Sequence, residues 1–281
     1  MVTNDLTIII NTFNSDEKIY QCLDSIHNHQ NILIIENSNN IDFKDTIEKK
    51  YPNVKCELTG ENLGYGKGNN LGLSKVKSRY ALILNPDASL KSNAIENFLK
   101  SAAKNLDFSI IAPAIQEKKD LIENKYKNLK SLIEVDNVKG FAMFLNMSQF
   151  KEIGFFDENF FIYFEEIDLC RRLKKLNKKI FLDTSIVIDH IGGGSHNDSI
   201  NFKMELSRNW HWMWSTFYYH KKYNNFIYAL LKVSPKFFSA LIKVFLYTII
   251  FNNNKKKIYF QRLSGLFNSI IGNKSWYRPN I

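Results

Sequence analysis

The chain has 281 residues, 44% of them hydrophobic, which is enough to bury a core and excludes an intrinsically disordered protein. Its net charge of +10 is unevenly placed, because residues 201–281 hold 13 Lys or Arg against a single acid, Glu205, so two regions with different partners are expected. Cys22, Cys56 and Cys170 are scattered without CxxC spacing or partnering histidines, which argues against a disulfide framework and a zinc site and suits a reducing compartment.

The first residues, MVTNDLTIIINTFN, make a poor signal peptide and a good first strand, so no secretion is expected. LTIIINTF, residues 6–13, has the continuous apolar character of a parallel strand buried on both faces. A helix from about Glu17 to Asn28 follows. The next apolar run, Ile32 to Ile35, ends in Glu36, Asn37 and Ser38, polar groups where a strand's carboxyl end opens into a crevice. A helix near Phe43 to Lys50 and a strand over Val54 to Leu58 continue the alternation, which predicts an α/β fold with a largely parallel sheet.

In ENLGYGKGNNLGL the glycines Gly64, Gly66 and Gly68 alternate, which lets backbone approach a ligand, and Lys67 could add charge for a phosphate. The spacing satisfies neither the dinucleotide nor the P-loop fingerprint. A Gly-Asn-rich turn entering a helix over Asn69 to Val76 would explain the segment without a ligand. The strand Tyr80 to Leu84 then runs into Asn85, Pro86 and Asp87. A carboxylate in such a turn can hold a divalent cation whose shell a phosphate completes, although Asn-Pro-Asp is also an ordinary turn.

A helix near Asn93 to Asn105 and a strand near Phe108 to Ala112 come next. The lysine-rich residues 116–134 read as a surface excursion. A strand over Val138 to Leu145 precedes FFDENFFIYFEEIDLCRRL, residues 155–173, where five acids sit among six aromatics. From Glu165 the apolar positions fall at helical spacing, so Glu165, Glu166 and Asp168 occupy a first helical turn, where carboxylates are favoured in their charged form. Short strands are expected over Lys179 to Leu182 and Ile186 to Ile188, followed by His190 and the glycines 192–194. A histidine there suggests a ligand on a flexible loop, though a lone His is more often not one.

Together these motifs resemble the inverting family 2 glycosyltransferases with the GT-A fold, in particular the bacterial rhamnosyltransferase-like branch, over residues 5–196. The resemblance implies that Thr12 and Glu36, Asn37 and Ser38 hold the nucleotide's base and ribose. It implies that the NLGYGKGNN loop, with Gly64, Gly66, Lys67 and Asn69, lies beside the nucleotide. Asn85 stands where other branches carry the first acid of Asp-x-Asp, and Asp87 becomes the ligand of Mg²⁺ or Mn²⁺. His190 would assist at the metal or diphosphate. Glu166 matches the position of the catalytic base, with Glu165 orienting the site. A carboxylate base and no enzyme nucleophile imply a single displacement with inversion.

The expected organisation is a GT-A nucleotide-sugar-binding and catalytic domain over 1–200 and a helical, basic, aromatic extension over 201–281. The expected partners are a dTDP-, UDP- or GDP-sugar, with rhamnose suggested by the resemblance alone, and a glycan or polyprenyl-diphosphate-linked acceptor. In the extension Lys232, Lys236 and Lys243 punctuate the apolar run and Pro235 interrupts it, which argues against a membrane span. Aromatics with lysines describe amphipathic helices on an anionic membrane surface, giving a cytoplasmic protein peripheral on the inner face of the cell membrane. Helices packed on the catalytic domain are the alternative. No nucleic-acid-binding module accompanies the basic region. A catalytically silent nucleotide-sugar-binding scaffold is the competing function.

Overall fold

The computed structural model describes residues 5–26, 28–29, 31–116, 132–190 and 195–278. By its internal contacts the chain divides into two compact units, Met1–Phe156 with Leu169–Asp198, and Asp157–Asp168 with Ser199–Ile281. The glycines 192–194 and most of the lysine-rich excursion lie outside the described residues.

The first unit is built on one sheet. Its strands are β1 (Leu6–Thr12), β2 (Ile32–Glu36), β3 (Val54–Leu58), β4 (Tyr80–Leu84), β5 (Ala88–Leu90), β6 (Phe108–Gln116), β7 (Leu132–Glu134), β8 (Ala142–Asn146) and β9 (Lys179–His190). They run in the order β3-β2-β1-β4-β8-β6-β9-β5, with β7 also on β9. β1 pairs in parallel with β2 and β4, β2 with β3, and β6 with β9, while β8 is antiparallel to β4 and β6. Helices α1 (Ile19–Ile26), α2 (Ile41–Lys50), α3 (Gly64–Ser74) and α4 (Ala94–Lys104) connect them, and α5 (Glu165–Lys175) precedes β9.

Successive strand residues face opposite sides, so one apolar strand serves two cores. Ile8 and Ile10 join α1, α2 and α4 through Leu23, Ile47 and Phe98. Ile9 faces the other layer, with Leu73 of α3 and Leu169 and Leu173 of α5. All five residues of β4 and of β8 are buried, which is why both read as unbroken apolar runs.

The largest differences from the sequence expectation lie at β9, β5, β7, β8 and α3. β9 is one strand across Asp183 and Ser185 rather than two. The fully buried Asp183 carboxylate accepts from the Ser185 backbone N–H at 2.9 Å and hydroxyl at 2.6 Å, and the register against β6 shifts between Pro113 and Ala114. The polar interruption is absorbed by a bulge. β5 went unread because three residues carry no periodic signal, and β7 lies inside the segment read as an excursion. β8 begins at Ala142 rather than near Val138. Helix α3 begins at Gly64, five residues earlier than expected.

In the second unit, α6 (Asn201–Tyr223), α7 (Phe226–Ile249) and α8 (Asn253–Ile270) pack around Met213, Phe217, Ala229, Val233 and Leu266. Pro235 does not interrupt α7. Proline cannot donate to the carbonyl four residues back, but the Ser234 hydroxyl donates to that Leu231 oxygen at 2.9 Å, so the helix continues. Among the described residues no helix is long and apolar enough to cross a membrane.

Candidate functional site

In the first unit, candidate residues gather at the carboxyl ends of β1, β2 and β4, where an open parallel sheet presents its crevice. Thr12 ends β1 with its hydroxyl donating to the Ile35 carbonyl at 3.3 Å, and its own carbonyl accepts from Asn37 N–H at 2.9 Å. Asn37 Nδ2 also donates to Asn11 Oδ1, and Asn37 Oδ1 accepts from Leu63 N–H at 3.0 Å. Asn11 Nδ2 donates to the carbonyls of Gly64 and Tyr65 at 2.9 and 3.1 Å. Two asparagines thus tie both strand ends to the start of α3. Asn11 was not singled out from sequence, although an amide ending the run IIIN was the available signal.

The Glu36 carboxylate is almost completely buried and accepts from the N–H groups of Ser38 and Asn40 at 3.0 and 2.9 Å, and from the Ser38 hydroxyl. Its oxygens hold their own loop in shape. Ser38 Oγ in turn accepts from Asn14 N–H at 3.1 Å.

The glycine segment is helix rather than loop. Gly64, at φ +76°, opens α3, while Gly66 and Gly68 are buried within it. A Cβ at Gly72 would stand 2.6 Å from Ile9 Cγ2, and one at Gly68 would strike the Asn11 side chain. Glycines in a helix cost roughly 1 kcal/mol each relative to alanine, and here they allow the helix to lie against β1. Lys67 stands 3.7 Å from Glu61, both side chains well exposed. Asn69 is fully buried, with Nδ2 donating to the Tyr65 carbonyl at 2.9 Å and no hydrogen-bond partner for Oδ1 among the described residues.

Asp87 sits between β4 and β5. The turn is held by Ala88 N–H donating to the Asn85 carbonyl at 3.1 Å and by Asn85 N–H donating to Phe141 at 2.8 Å. Antiparallel pairing of Ala88 with His190 brings the imidazole Nε2 to 3.4 Å from Asp87 Oδ1, and the ring stacks on Phe141 at 4.5 Å. A cleft of about 130 Å³ opens there, lined by Lys18, Gln21, Cys22, Asp87 and Asp189 among others. Burial, and then the Asp87 charge, push the Cys22 thiol pKa up, so it stays protonated. Past the glycines, Ser15 Oγ donates to the Ser195 carbonyl at 2.6 Å and Asn197 N–H to the Asn14 carbonyl at 2.7 Å, anchoring that segment on the loop after β1.

Asp87 and His190 offer a carboxylate oxygen and an imidazole nitrogen converging on one point. No group of three or more His, Cys, Asp or Glu that could hold a metal lies among the described residues. A carboxylate oxygen and an imidazole nitrogen are donor types that Mn²⁺ or Mg²⁺ accepts, so the pair would supply two of the ligands such a cation needs.

In the second unit, Asp157 caps its own turn by accepting from Asn159 N–H at 3.0 Å. Phe160 is fully buried against Tyr218, and Phe161 lies against His211, whose pKa burial lowers to about 3. These rings are core. Tyr163 and Phe164 both adopt φ of +72°, the left-handed region that costs a non-glycine residue of order 1–3 kcal/mol. That strained pair delivers Glu165 and Glu166 as the first residues of α5.

Glu165 is 5% exposed, and the Oε2 atoms of both Glu165 and Glu166 are buried with no hydrogen-bond partner among the described residues. Burial, reinforced by the neighbouring Glu166 charge, raises the Glu165 pKa well above the usual carboxyl range; burial also raises that of Glu166. Asp168 has a different environment. Fully buried, it accepts from Lys222 Nζ and from the Tyr223 hydroxyl at 2.7 Å, and Lys222 also reaches Asp157 at 2.7 Å.

Residues 7–172 match the sequence profile described as glycosyl transferase family 2. The chain is 28% identical over 202 residues to the low-salt glycan biosynthesis hexosyltransferase Agl10 of Haloferax volcanii, covering 63% of this chain and 64% of that one. It is 21% identical over 202 residues to the N-acetylglucosaminyl-diphospho-decaprenol L-rhamnosyltransferase of Mycobacterium tuberculosis, covering 57% of this chain and 66% of that protein. The aligned region thus spans slightly less than two thirds of either relative. Among solved structures it superposes on the mannosyltransferase PcManGT from Pyrobaculum calidifontis, in complex with GDP-Man and Mn²⁺, with a TM-score of 0.59 at 10% identity, over 95% of this chain and 87% of that one. The sheet and flanking helices are thus the GT-A architecture expected from the sequence.

Proposed function

Because the chain belongs to glycosyl transferase family 2, we propose that it moves a sugar, with inversion, from a nucleoside diphosphate to a glycan or polyprenyl-diphosphate-linked acceptor in surface glycan synthesis. The observation that carries this reading is the pair Glu165 and Glu166, buried at a helix start, each with one carboxyl oxygen, Oε2, that no described residue bonds. Such groups are costly to keep, and perturbed carboxyls of this kind concentrate where proton transfer is needed.

The chemistry follows from the residue types. The acceptor hydroxyl must lose its proton as it attacks, and Glu166 is assigned as the general base, a role typically contributing about 10²–10⁴-fold. A raised pKa brings that base closer to the operating pH. Glu165 is assigned to orient the site beside it. Asp87 and His190 are assigned to hold Mg²⁺ or Mn²⁺, which when bound supplies Lewis-acid stabilisation of the leaving diphosphate. Thr12, Asn37 and Ser38 line the strand ends where an open α/β sheet takes a nucleotide, and the neighbour solved with GDP-Man and Mn²⁺ supports a nucleotide-sugar donor. The mycobacterial relative, named for a diphospho-decaprenol acceptor, supports a lipid-linked acceptor, and its sugar supports rhamnose.

The helical unit supports a membrane-surface location. Ile227, Leu231, Phe238, Ile242, Phe245 and Ile249 recur at helical spacing along α7 and are each 55–70% exposed, with Lys232, Lys236 and Lys243 on the same helix. An apolar stripe beside lysines fits an anionic lipid interface.

Thermal-shift titration with nucleoside diphosphates and their sugars, with and without Mn²⁺, tests the donor reading, since a ligand of the native state raises the melting temperature. A metal-dependent rise with at least one of dTDP-, UDP- or GDP-sugars is expected. No rise with any of them would overturn the reading. Co-sedimentation with phosphatidylglycerol vesicles at low salt tests the membrane location, and its absence would remove that part.

A further inference from the structure

The helical unit carries an open surface cavity of about 380 Å³ lined by Tyr163, Glu205, Arg208, Asn209, Trp212 and Arg262. Its chemistry follows from which of these charges are already neutralised. Arg262 is fixed in place: Nε donates to Asn209 Oδ1 at 2.6 Å, and the guanidinium lies 5.1 and 4.9 Å from the ring centroids of Trp212 and Tyr259. Its terminal N–H donors reach no acceptor among the described residues. Half-buried Arg208, on α6, makes no hydrogen bond or ion pair with them either. Glu205, the only acid in residues 201–281, is exposed at the rim and pairs with neither arginine.

Lys236 Nζ lies 4.7 Å from the ring centroid of the same Trp212, so a further cation stands beside the lining indole. Burial, and then the charge of Lys232, lower the Lys236 pKa. Planar guanidinium forks match phosphate oxygens two at a time, and the aromatic faces beneath keep Arg262 oriented for that purpose. One wall of the cavity is Tyr163, two residues before Glu165 in the left-handed pair that opens α5.

We propose that this cavity binds the phosphate or diphosphate group of the acceptor, with Arg208 and Arg262 as its ligands and Tyr163 linking its occupancy to the position of the carboxyl pair. The proposal rests on the lipid-linked acceptor reading above. It adds a site that the glycosyl transferase profile does not reach, because Arg208 and Arg262 lie beyond residues 7–172.

Trp212 lines the cavity, so intrinsic fluorescence of the full chain can report its occupancy. Titration with geranyl diphosphate is expected to give saturable quenching that inorganic pyrophosphate competes away and geraniol does not produce. Arg208→Ala and Arg262→Ala should each weaken geranyl diphosphate binding by about tenfold or more, the worth of one charge-assisted pair. Thermal shifts with nucleotide sugars should stay unchanged in both. Arg262→Gln removes the charge with less loss of volume and serves if the alanine variant fails to fold.

Equal affinity of the wild type and Arg208→Ala for geranyl diphosphate would overturn the proposal. So would a loss of phosphatidylglycerol vesicle binding in Arg208→Ala with geranyl diphosphate affinity intact, which assigns the arginines to bilayer headgroups. Arginine-dependent diphosphate binding in a chain that transfers no sugar supports this site and overturns only the transfer reading.

Discussion

His190 Nε2 lies 3.4 Å from Asp87 Oδ1, although the two residues are 103 positions apart, because β5 pairs antiparallel with the end of β9 and sets Ala88 opposite His190. The contact joins the carboxylate of an Asn-Pro-Asp turn to an imidazole already fixed by stacking on Phe141. If the pair holds the cation, Asp87→Asn should lower kcat/KM at least about 100-fold, because several kcal/mol of charge stabilisation is removed. His190→Ala should cost less, about tenfold, and raise the Mn²⁺ concentration needed for half-maximal rate. Metal titration of initial rates checks both, and an unchanged Mn²⁺ dependence in Asp87→Asn contradicts the assignment.

The acid pair predicts two opposite pH effects. Glu165 and Glu166 have raised pKa values in the folded chain, whereas in the unfolded chain they return towards 4.5. Between those limits the native state holds protons that the unfolded state has released, so stability falls as pH rises through the window and levels off above it. Glu165→Gln should flatten that fall and raise the melting temperature near pH 8. Transfer runs the other way: a base must be ionised, so kcat/KM should climb with pH through the same window. Glu166→Gln should lose about 10²–10⁴-fold in rate with donor binding retained. Melting curves and rate profiles from pH 5 to 9 measure both effects.

Lys222 Nζ serves two carboxylates at once, the half-buried Asp157 and the fully buried Asp168. Burial raises the Asp157 pKa, yet Lys222 and Asn159 together hold it below its ordinary value. Lys222→Met would remove an ammonium bonded to the fully buried Asp168 carboxylate, and removing one partner of a buried pair typically costs about 3–5 kcal/mol. Adding Asp168→Asn should recover part of that loss. Urea denaturation of the two single variants and the double variant gives the coupling, and strict additivity would contradict the ion-pair account.

Gly265 is where α8 meets α6. A Cβ at that position would overlap the Trp210 carbonyl oxygen, a backbone atom that cannot rotate away. Gly265→Ala should therefore separate the two helices and weaken the Trp210 Nε1 to Ser264 bond of 3.1 Å. The expected cost is about 1–3 kcal/mol, typical of overpacking. Chemical denaturation and near-ultraviolet circular dichroism would register it, and a neutral result would mean the helices can part freely.

Much was legible in the residues themselves. The strands Val54–Leu58 and Tyr80–Leu84 match their expected bounds, the first because Val54, Cys56 and Leu58 alternate with Lys55 and Glu57, the second because a strand buried on both faces is an unbroken apolar run. The ordered motifs from Thr12 through Asp87 to Glu166 and His190 carried the family. Short-range chemistry also placed the acids of the aromatic stretch at a helix start, as observed at Glu165.

What the linear pattern left open depended on partners distant in sequence. The glycines Gly64, Gly66 and Gly68 read as a ligand loop, yet only the approach of β1 shows why they belong to a helix, since Gly68 makes room for Asn11 and Gly72 for Ile9. Asp168 accepts from Lys222 and Tyr223 of α6, 54 and 55 positions along the chain, contacts that no local spacing announces. Local propensity and periodicity are properties of neighbouring residues, so the sequence by itself determined the class of fold and the family. Burial, charge pairing and the cavity between Arg208 and Arg262 arise from residues brought together across the chain, and only the tertiary structure decided them.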